Sequence, residues 1–334
     1  MSTVSSPTNK RLFPADFEVV PPTHAPLRGG EPVALRMSDG AILCGEWLRP
    51  SGPPVAVVAL SHAMMVERRT LDAPAGAGLL SSLVAHGLAV LWFDQRGHGQ
   101  SVGNAATGMR WDYDSLVADA GCIAAYLAEV EPQLPKLAVG HSLFGHVALA
   151  WQSVAMQDDL LPRFDGLGLL ASNVWLRATE PSRWRWLGKR LSYSVLLAAT
   201  RPLGYLPVVR LGLGSVDEPL PYLAQMGSWV TGDDWTDRQG RSYRTGLSRV
   251  KVPILSVAGS GDVLLAPPGC QLRFVAQTAG PITHWQLGRR FGDPLDPNHM
   301  QVVMHSKLKP RWDEIAAWLA TEGRFDTRQR GGQG

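Results

Sequence analysis

Residues 137–146, Leu-Ala-Val-Gly-His-Ser-Leu-Phe-Gly-His, constrain this chain more than any other stretch. An apolar run stops at Gly140, Ser142 follows two residues later, and a small-residue, helix-forming segment begins at once. That pattern predicts a strand that turns sharply into a helix and leaves one hydroxyl exposed at the bend. It approaches G-x-S-x-G, in which the central serine is held for nucleophilic attack. The fit is imperfect, because Phe144 stands where a small residue is expected and Gly145 comes one place late. A phenyl ring at that position is expected to open or rotate the turn.

The rest of the chain supplies a sheet for such a turn. Residues 32–37 and 41–48 alternate apolar and polar around Asp39-Gly40, a hairpin signal. Residues 55–60 and 88–93 are continuous apolar runs, as expected for strands buried on both faces of a parallel sheet. Residues 135–139, 164–171, 252–257 and 282–287 read as four further strands. Between them lie helical patterns near 79–84, 112–130 and 143–157, and Pro310 opens a last one with Trp312, Ile315, Ala316 and Leu319 on one face. Parallel strands need crossovers, and helices on both faces bury them. The fold class expected is therefore α/β, with a mostly parallel eight-stranded sheet flanked by helices. The alternation breaks between 174 and 249, where tryptophans and prolines gather without a strand pattern. That segment reads as a helical cap over the carboxyl ends of the strands. The expected organisation is a loose arm over 1–25, a core over 26–173 and 250–321, the cap over 174–249, and a polar tail over 322–334.

Of the 334 residues, 45% are hydrophobic and 18% charged, which suits a core-forming globular chain. The net charge of +3 by itself calls for no polyanionic partner, and no nucleic-acid recognition motif is present. Cys44, Cys122 and Cys270 follow no metal spacing and fit reduced thiols, so no metal or cofactor is expected. Residues 1–10 are polar, unlike a secretion signal, and no run of about 18 apolar residues occurs. The expectation is a cytoplasmic protein with no stable membrane insertion, acting on a small acyl substrate.

A serine hydroxyl needs a base, a group that orients the base, and donors for an oxyanion. Asp262 ends the apolar run 253–258 and its small-residue extension, which places it in a loop at a strand's carboxyl end. His299 lies in a loop after the last strand and before the last helix. Each residue has a plainer reading: Asp262 as a helix cap, His299 as a loop histidine. His284, inside a strand pattern, and His305, near the terminal helix, compete for the base. Taken together, Ser142, Asp262 and His299 form a candidate triad in the order Ser, acid, His. The oxyanion donors expected are the N–H groups of Leu143 and of Met64, with Ala63 as the second choice. His62 reads as a brace for the loop.

Three segments carry a resemblance: Ser61-His62-Ala63, Asp94-Gln95-Arg96-Gly97-His98-Gly99-Gln100-Ser101 and Gly140-His141-Ser142. They resemble the α/β-hydrolase superfamily, in particular its monoglyceride-lipase and serine-aminopeptidase-like branch. A group of predicted bacterial α/β-hydrolases is similar also in the cap, at 204–207 and 211–214, and at the end, over 312–319. The resemblance covers about residues 30–320. It implies a Ser142–Asp262–His299 triad and hydrolysis of an ester, thioester or amide.

Between Trp175 and Ser215 there are seven basic residues and one acid, Glu180. Trp175, Trp184 and Trp229 are the candidates for a substrate pocket under an apolar, cationic lid. Such a lid would suit an acyl chain on an anionic carrier, or contact with an anionic membrane. The plainer reading is a solvated helical face with tryptophans packed on the core. Three functions follow from the sequence: a serine hydrolase of esters or thioesters, an acyltransferase using the same triad, and a binding protein on a hydrolase scaffold.

Overall fold

A computed structural model describes residues 16–323. Nine strands form one sheet: β1 (Phe17–Val20), β2 (Glu31–Met37), β3 (Ile42–Leu48), β4 (Ala56–Ser61), β5 (Leu88–Phe93), β6 (Lys136–His141), β7 (Gly166–Leu170), then β10 (Ile254–Gly259) and β11 (Ile282–Leu287). The spatial order is β1-β2-β3-β5-β4-β6-β7-β10-β11. The strands from β5 across to β11 run parallel, and β1, β2 and β3 pair antiparallel at the other end. The expected eight strands are all present. The ninth, β1, falls in the stretch read as a loose arm. Its residues are few and lie among prolines, so no periodicity marked them. Phe17 meets Tyr126 edge-on at 6.0 Å, and Val20 is buried beside Ala34 and Cys44. The remainder of the expected arm, 1–15, and the tail from 324 lie outside the described residues.

The pleat divides the core. Val57 and Ala59 of β4 face one side, with α2 (Tyr113–Val130) and α3 (Leu143–Gln157). Ala56, Val58 and Leu60 face the other, with α1 (Leu79–Ala85) and α8 (Lys309–Thr321); α6 (Pro268–Val275) and α7 (Gln301–Met304) follow β10 and β11. Local chemistry sets the helix ends. Asp112 accepts the Ser115 N–H and caps α2, and Gly87 turns out of α1 at φ 82°.

The cap carries α4 (Arg183–Thr200), α5 (Leu220–Gly232) and a two-stranded patch, β8 (Tyr205–Leu206) with β9 (Glu218–Pro219), that no sequence pattern announced. It rests on loops at the carboxyl ends of β4, β5 and β10. Ser215 N–H donates to Met65 O, Glu218 reaches Met65 and His98, and Trp175 Nε1 donates to Leu265 O. Among the described residues, no helix is long and apolar enough to cross a membrane.

Candidate active site

From β4 the chain passes to β5 on one side and then crosses back over β4 to β6 on the other, so a crevice opens at the carboxyl ends of β4 and β6. Ser142 sits at that crevice, between β6 and α3. Its backbone is at φ 51° and ψ −104°, a strained conformation for a residue with a side chain. The strain is held by two hydrogen bonds and a brace behind them. Ser142 N–H donates to Leu170 O at 2.8 Å, and the Ser172 hydroxyl donates to Ser142 O at 2.7 Å. Gln271 in turn accepts the Ser172 N–H and donates to Leu169 O, Ser256 Oγ and Val257 O.

Phe144 does not open this turn, contrary to the expectation from its size. Its ring is buried and meets Phe93 edge-on at 5.2 Å, and its N–H donates to His62 O at 3.4 Å. The close approach is made by the neighbouring glycines instead. A Cβ on Gly140 would lie 2.1 Å from Gly145 N, and one on Gly145 would lie 2.7 Å from Ser172 Oγ. One step along a helix rotates the side chain by about 100°. Position 145 therefore faces the crowded β6–β7 side, while 144 faces the roomier β4–β5 side.

Asp262 and His299 meet. His299 Nδ1 donates to Asp262 Oδ2 at 2.5 Å. Asp262 is 4% exposed and also accepts the N–H groups of Leu265 and Ala266, at 3.0 and 3.1 Å. Burial alone would raise its pKa, but these bonds and the imidazole outweigh burial and hold the carboxyl below its ordinary value. The plainer reading of Asp262 as a helix cap is not what is seen: its oxygens hold the loop at Leu265 and Ala266, and the helix that follows starts at Pro268 with no side-chain cap. With Nδ1 committed as donor, His299 Nε2 is left as an acceptor. Among the described residues no hydrogen bond joins Ser142 Oγ to His299. The contact runs through the preceding residue: His141 Nε2 donates to His299 O at 3.0 Å, and the two rings lie 5.0 Å apart. Burial, with His299 nearby, pushes His141 down to about 3, so it is a neutral prop. Of the competing histidines, His284 Nδ1 meets Ser256 Oγ at 3.0 Å, and His305 accepts the Lys307 N–H.

Leu143 is the first residue of α3, where N–H groups have no partner within the helix. Across the crevice, Met65 follows Met64 at φ 65°, another strained position. The Glu218 carboxylate accepts the Met65 N–H at 2.6 Å. The same oxygen meets His98 Nε2 at 3.1 Å, and all of Glu218 and His98 is buried. Burial would lower the His98 pKa, but Glu218 outweighs it and the net shift is upward. His62 braces its loop as expected: Nδ1 donates to Ala63 O, and Nε2 accepts the Gln95 N–H.

The Asp94–Gly99 motif is structural. Asp94 pairs with Arg68 and accepts the N–H groups of Arg68 and Gln100, and Gly99 leaves room for that carboxylate. Arg96 pairs with Asp119 and Asp39.

The three cap tryptophans do not converge. Trp175 stacks near Lys189 and Tyr193 beside the Asp262 loop. Trp229 is buried against Tyr113 at 4.7 Å, its N–H spent on Thr236 O, and fastens the cap to the core. Trp184 corrects the expectation of a pocket residue: it is 83% exposed on the outer face of α4, because the inner face is taken by Trp186, Lys189 and Tyr193. Sequence reading missed His141, Ser172, Gln271 and Glu218. Only His141, inside the turn motif, carried a local signal.

Residues 52–203 match the family model described as serine aminopeptidase, S33. No curated protein matches the sequence. Among solved structures, an esterase from Exiguobacterium antarcticum is 14% identical with a TM-score of 0.55, over 87% of this chain and all of that one. A Butyrivibrio proteoclasticus protein with ferulic acid bound is 13% identical with a TM-score of 0.57, over 86% and 98%. A Pyrococcus furiosus esterase is 16% identical with a TM-score of 0.54, over 91% of each chain. The chain thus has the α/β-hydrolase fold, and its residues 52–203 are similar to the serine aminopeptidase family.

Proposed function

We propose that the chain is a serine hydrolase that cleaves an ester or thioester through an acyl-enzyme. The observation that carries this reading is the pairing of a strained turn at the half-buried Ser142 with the Asp262–His299 hydrogen bond, brought from two other strand ends. Ser142 Oγ attacks the acyl carbonyl as His299 Nε2 takes its proton. Asp262 holds the imidazole in the tautomer that can accept and stabilises the imidazolium. The N–H groups of Leu143 and Met64 receive the oxyanion. His299 then protonates the leaving group, and water, activated by the same imidazole, frees Ser142. In the unliganded site such hydrogen bonds are often long and tighten with substrate, so the absent Ser142–His299 bond is compatible with this chemistry. The buried ring of Phe144, packed on Phe93 clear of Ser142, supports this reading over a binding protein on the same scaffold.

A fluorophosphonate probe tests the reading. Ser142 should be labelled, and His299→Ala and Ser142→Ala should each abolish labelling while both variants melt like the parent. Turnover of a short p-nitrophenyl ester should fall by at least ~1,000-fold in Ser142→Ala. Unchanged turnover in that variant would sink the proposal. Adding an alcohol or amine acceptor and analysing products separates hydrolysis from acyl transfer.

A further inference from the structure

The outer face of the cap is built unlike the rest of the surface. Trp184, Leu187, Leu191 and Val195 of α4 are 83, 55, 65 and 60% exposed. At 100° per residue they fall on one stripe of about 80°. The opposite face of α4, with Trp186, Lys189 and Tyr193, is already packed against the cap interior, so this stripe has no partner among the described residues. The turn that follows α4 continues it with Leu203, Val209, Leu211 and Leu213, each more than half exposed. Arg183, Arg190 and Arg201 line one flank of the stripe, and Arg210 joins them from the turn. All four are exposed, and none makes an ion pair among the described residues. From Pro181 to Val216 the sequence holds no acidic residue.

The apolar surface ends at the candidate site. Arg185 Nη1 donates to Val263 O, and Val263, Leu264 and Leu265, exposed by 68, 51 and 42%, directly follow Asp262.

We propose that this face docks on an anionic lipid bilayer, with α4 lying in the interface plane. An amphipathic helix with a Trp and Leu stripe and arginines beside it fits that position: the stripe enters the acyl boundary and the arginines meet phosphate. A second copy of the chain fits worse. A two-fold contact through this patch would set four unpaired arginines against four, with no carboxylate to neutralise them. A nucleic acid would leave the leucine stripe unused. Docking stands independently of the proposed hydrolase activity. Its corollary, that the acyl substrate is drawn from the bilayer past Val263–Leu265, rests on that activity.

Flotation of the full chain with phosphatidylcholine vesicles, with and without phosphatidylglycerol, tests the docking without needing catalysis. The protein should float with the anionic vesicles only, and less at high salt. Leu187→Ser/Leu191→Ser/Val195→Ser should stop flotation while melting like the parent. Arg183→Gln/Arg190→Gln/Arg201→Gln should weaken partitioning by about 100-fold. No flotation, equal flotation on both vesicles, or flotation of the serine variant would each overturn the proposal. So would a concentration-dependent dimer in size-exclusion chromatography that the serine substitutions dissolve, which would assign the face to self-association.

Discussion

At the scale of single residues, the turn at Ser142 shows where a sequence pattern stands in for a physical requirement. What the turn needs is one place where helix and strand backbones nearly touch. Gly140 and Gly145 meet that need, and Phe144 fills a space beside Phe93. Two substitutions should therefore behave oppositely. Phe144→Ala empties a buried site and should cost about 3–5 kcal/mol in a urea titration. The turn itself is untouched, so the rate of fluorophosphonate labelling per folded molecule should stay within about threefold of the parent. Gly145→Ala drives a methyl group into Ser172 and Gly140 O. It should slow labelling by ~10–100-fold, because a shift of about 1 Å at a nucleophile is that expensive. If labelling instead tracked Phe144 and ignored Gly145, the assignment of the close contact would be wrong. Ser142, Asp262 and His299 were legible because each sits in a local pattern: small residues ending an apolar run, or a loop between strand and helix. Trp184 was misread because composition says that a helix carries tryptophans but not which way they turn.

At the scale of elements, one buried acid ties the cap to the core and a second braces the cap itself, and neither has a local signature. Glu218 lies 153 residues from Met65 in sequence, so only the folded chain pairs them. On the proposed mechanism this carboxylate positions the oxyanion loop, since it holds the strained Met65 next to the Met64 donor. Glu218→Ala should lower the labelling rate by ~10–100-fold. Glu218→Gln, which keeps an acceptor for Met65 N–H, should recover most of it. Equal losses in both would point to the His98–Glu218 charge pair rather than to positioning. Glu180 works within the cap, at the start of α4, and its carboxylate meets the core through Cys270 Sγ. Burial would raise its pKa, but Arg185, the Ser182 N–H and Lys189 outweigh burial and bring it down to about 2. A carboxyl whose pKa is lower folded than unfolded stabilises the fold above its unfolded value, and that contribution fades as pH falls through the folded one. Glu180→Gln also strands the buried Lys189 and should cost about 3 kcal/mol at neutral pH. Urea midpoints measured down the pH scale should show the gap between parent and variant closing from about pH 4.5 toward pH 2. A gap that stays constant would deny Glu180 its ionised role.

At the scale of the whole molecule, the sequence made the sheet legible almost completely, because strands buried on both faces must be written as unbroken apolar runs. It also separated the cap, through the loss of that pattern after 173. It did not reveal how the cap is joined. The core face behind α2 and α3 includes Leu206, Tyr222, Trp229, Trp235 and Tyr243 from the cap segment, in one continuous apolar cluster with Val57, Leu91 and Val147. A segment that reads as an insertion thus shares its host's core, and the two should unfold as one unit. Trp229→Ala, on the cap side, and Trp312→Ala, on the opposite face under α8, each remove a fully buried indole and should each cost about 3–5 kcal/mol. Both should move a single transition. Tryptophan fluorescence, far-ultraviolet circular dichroism and probe labelling should give coincident denaturation curves in the parent and in both variants. If Trp229→Ala instead separated an early loss of labelling from a later loss of helicity, with Trp312→Ala shifting only the second step, the cap would be an independent domain resting on the sheet. Its grip on Met65 would then be a docking contact rather than part of the fold.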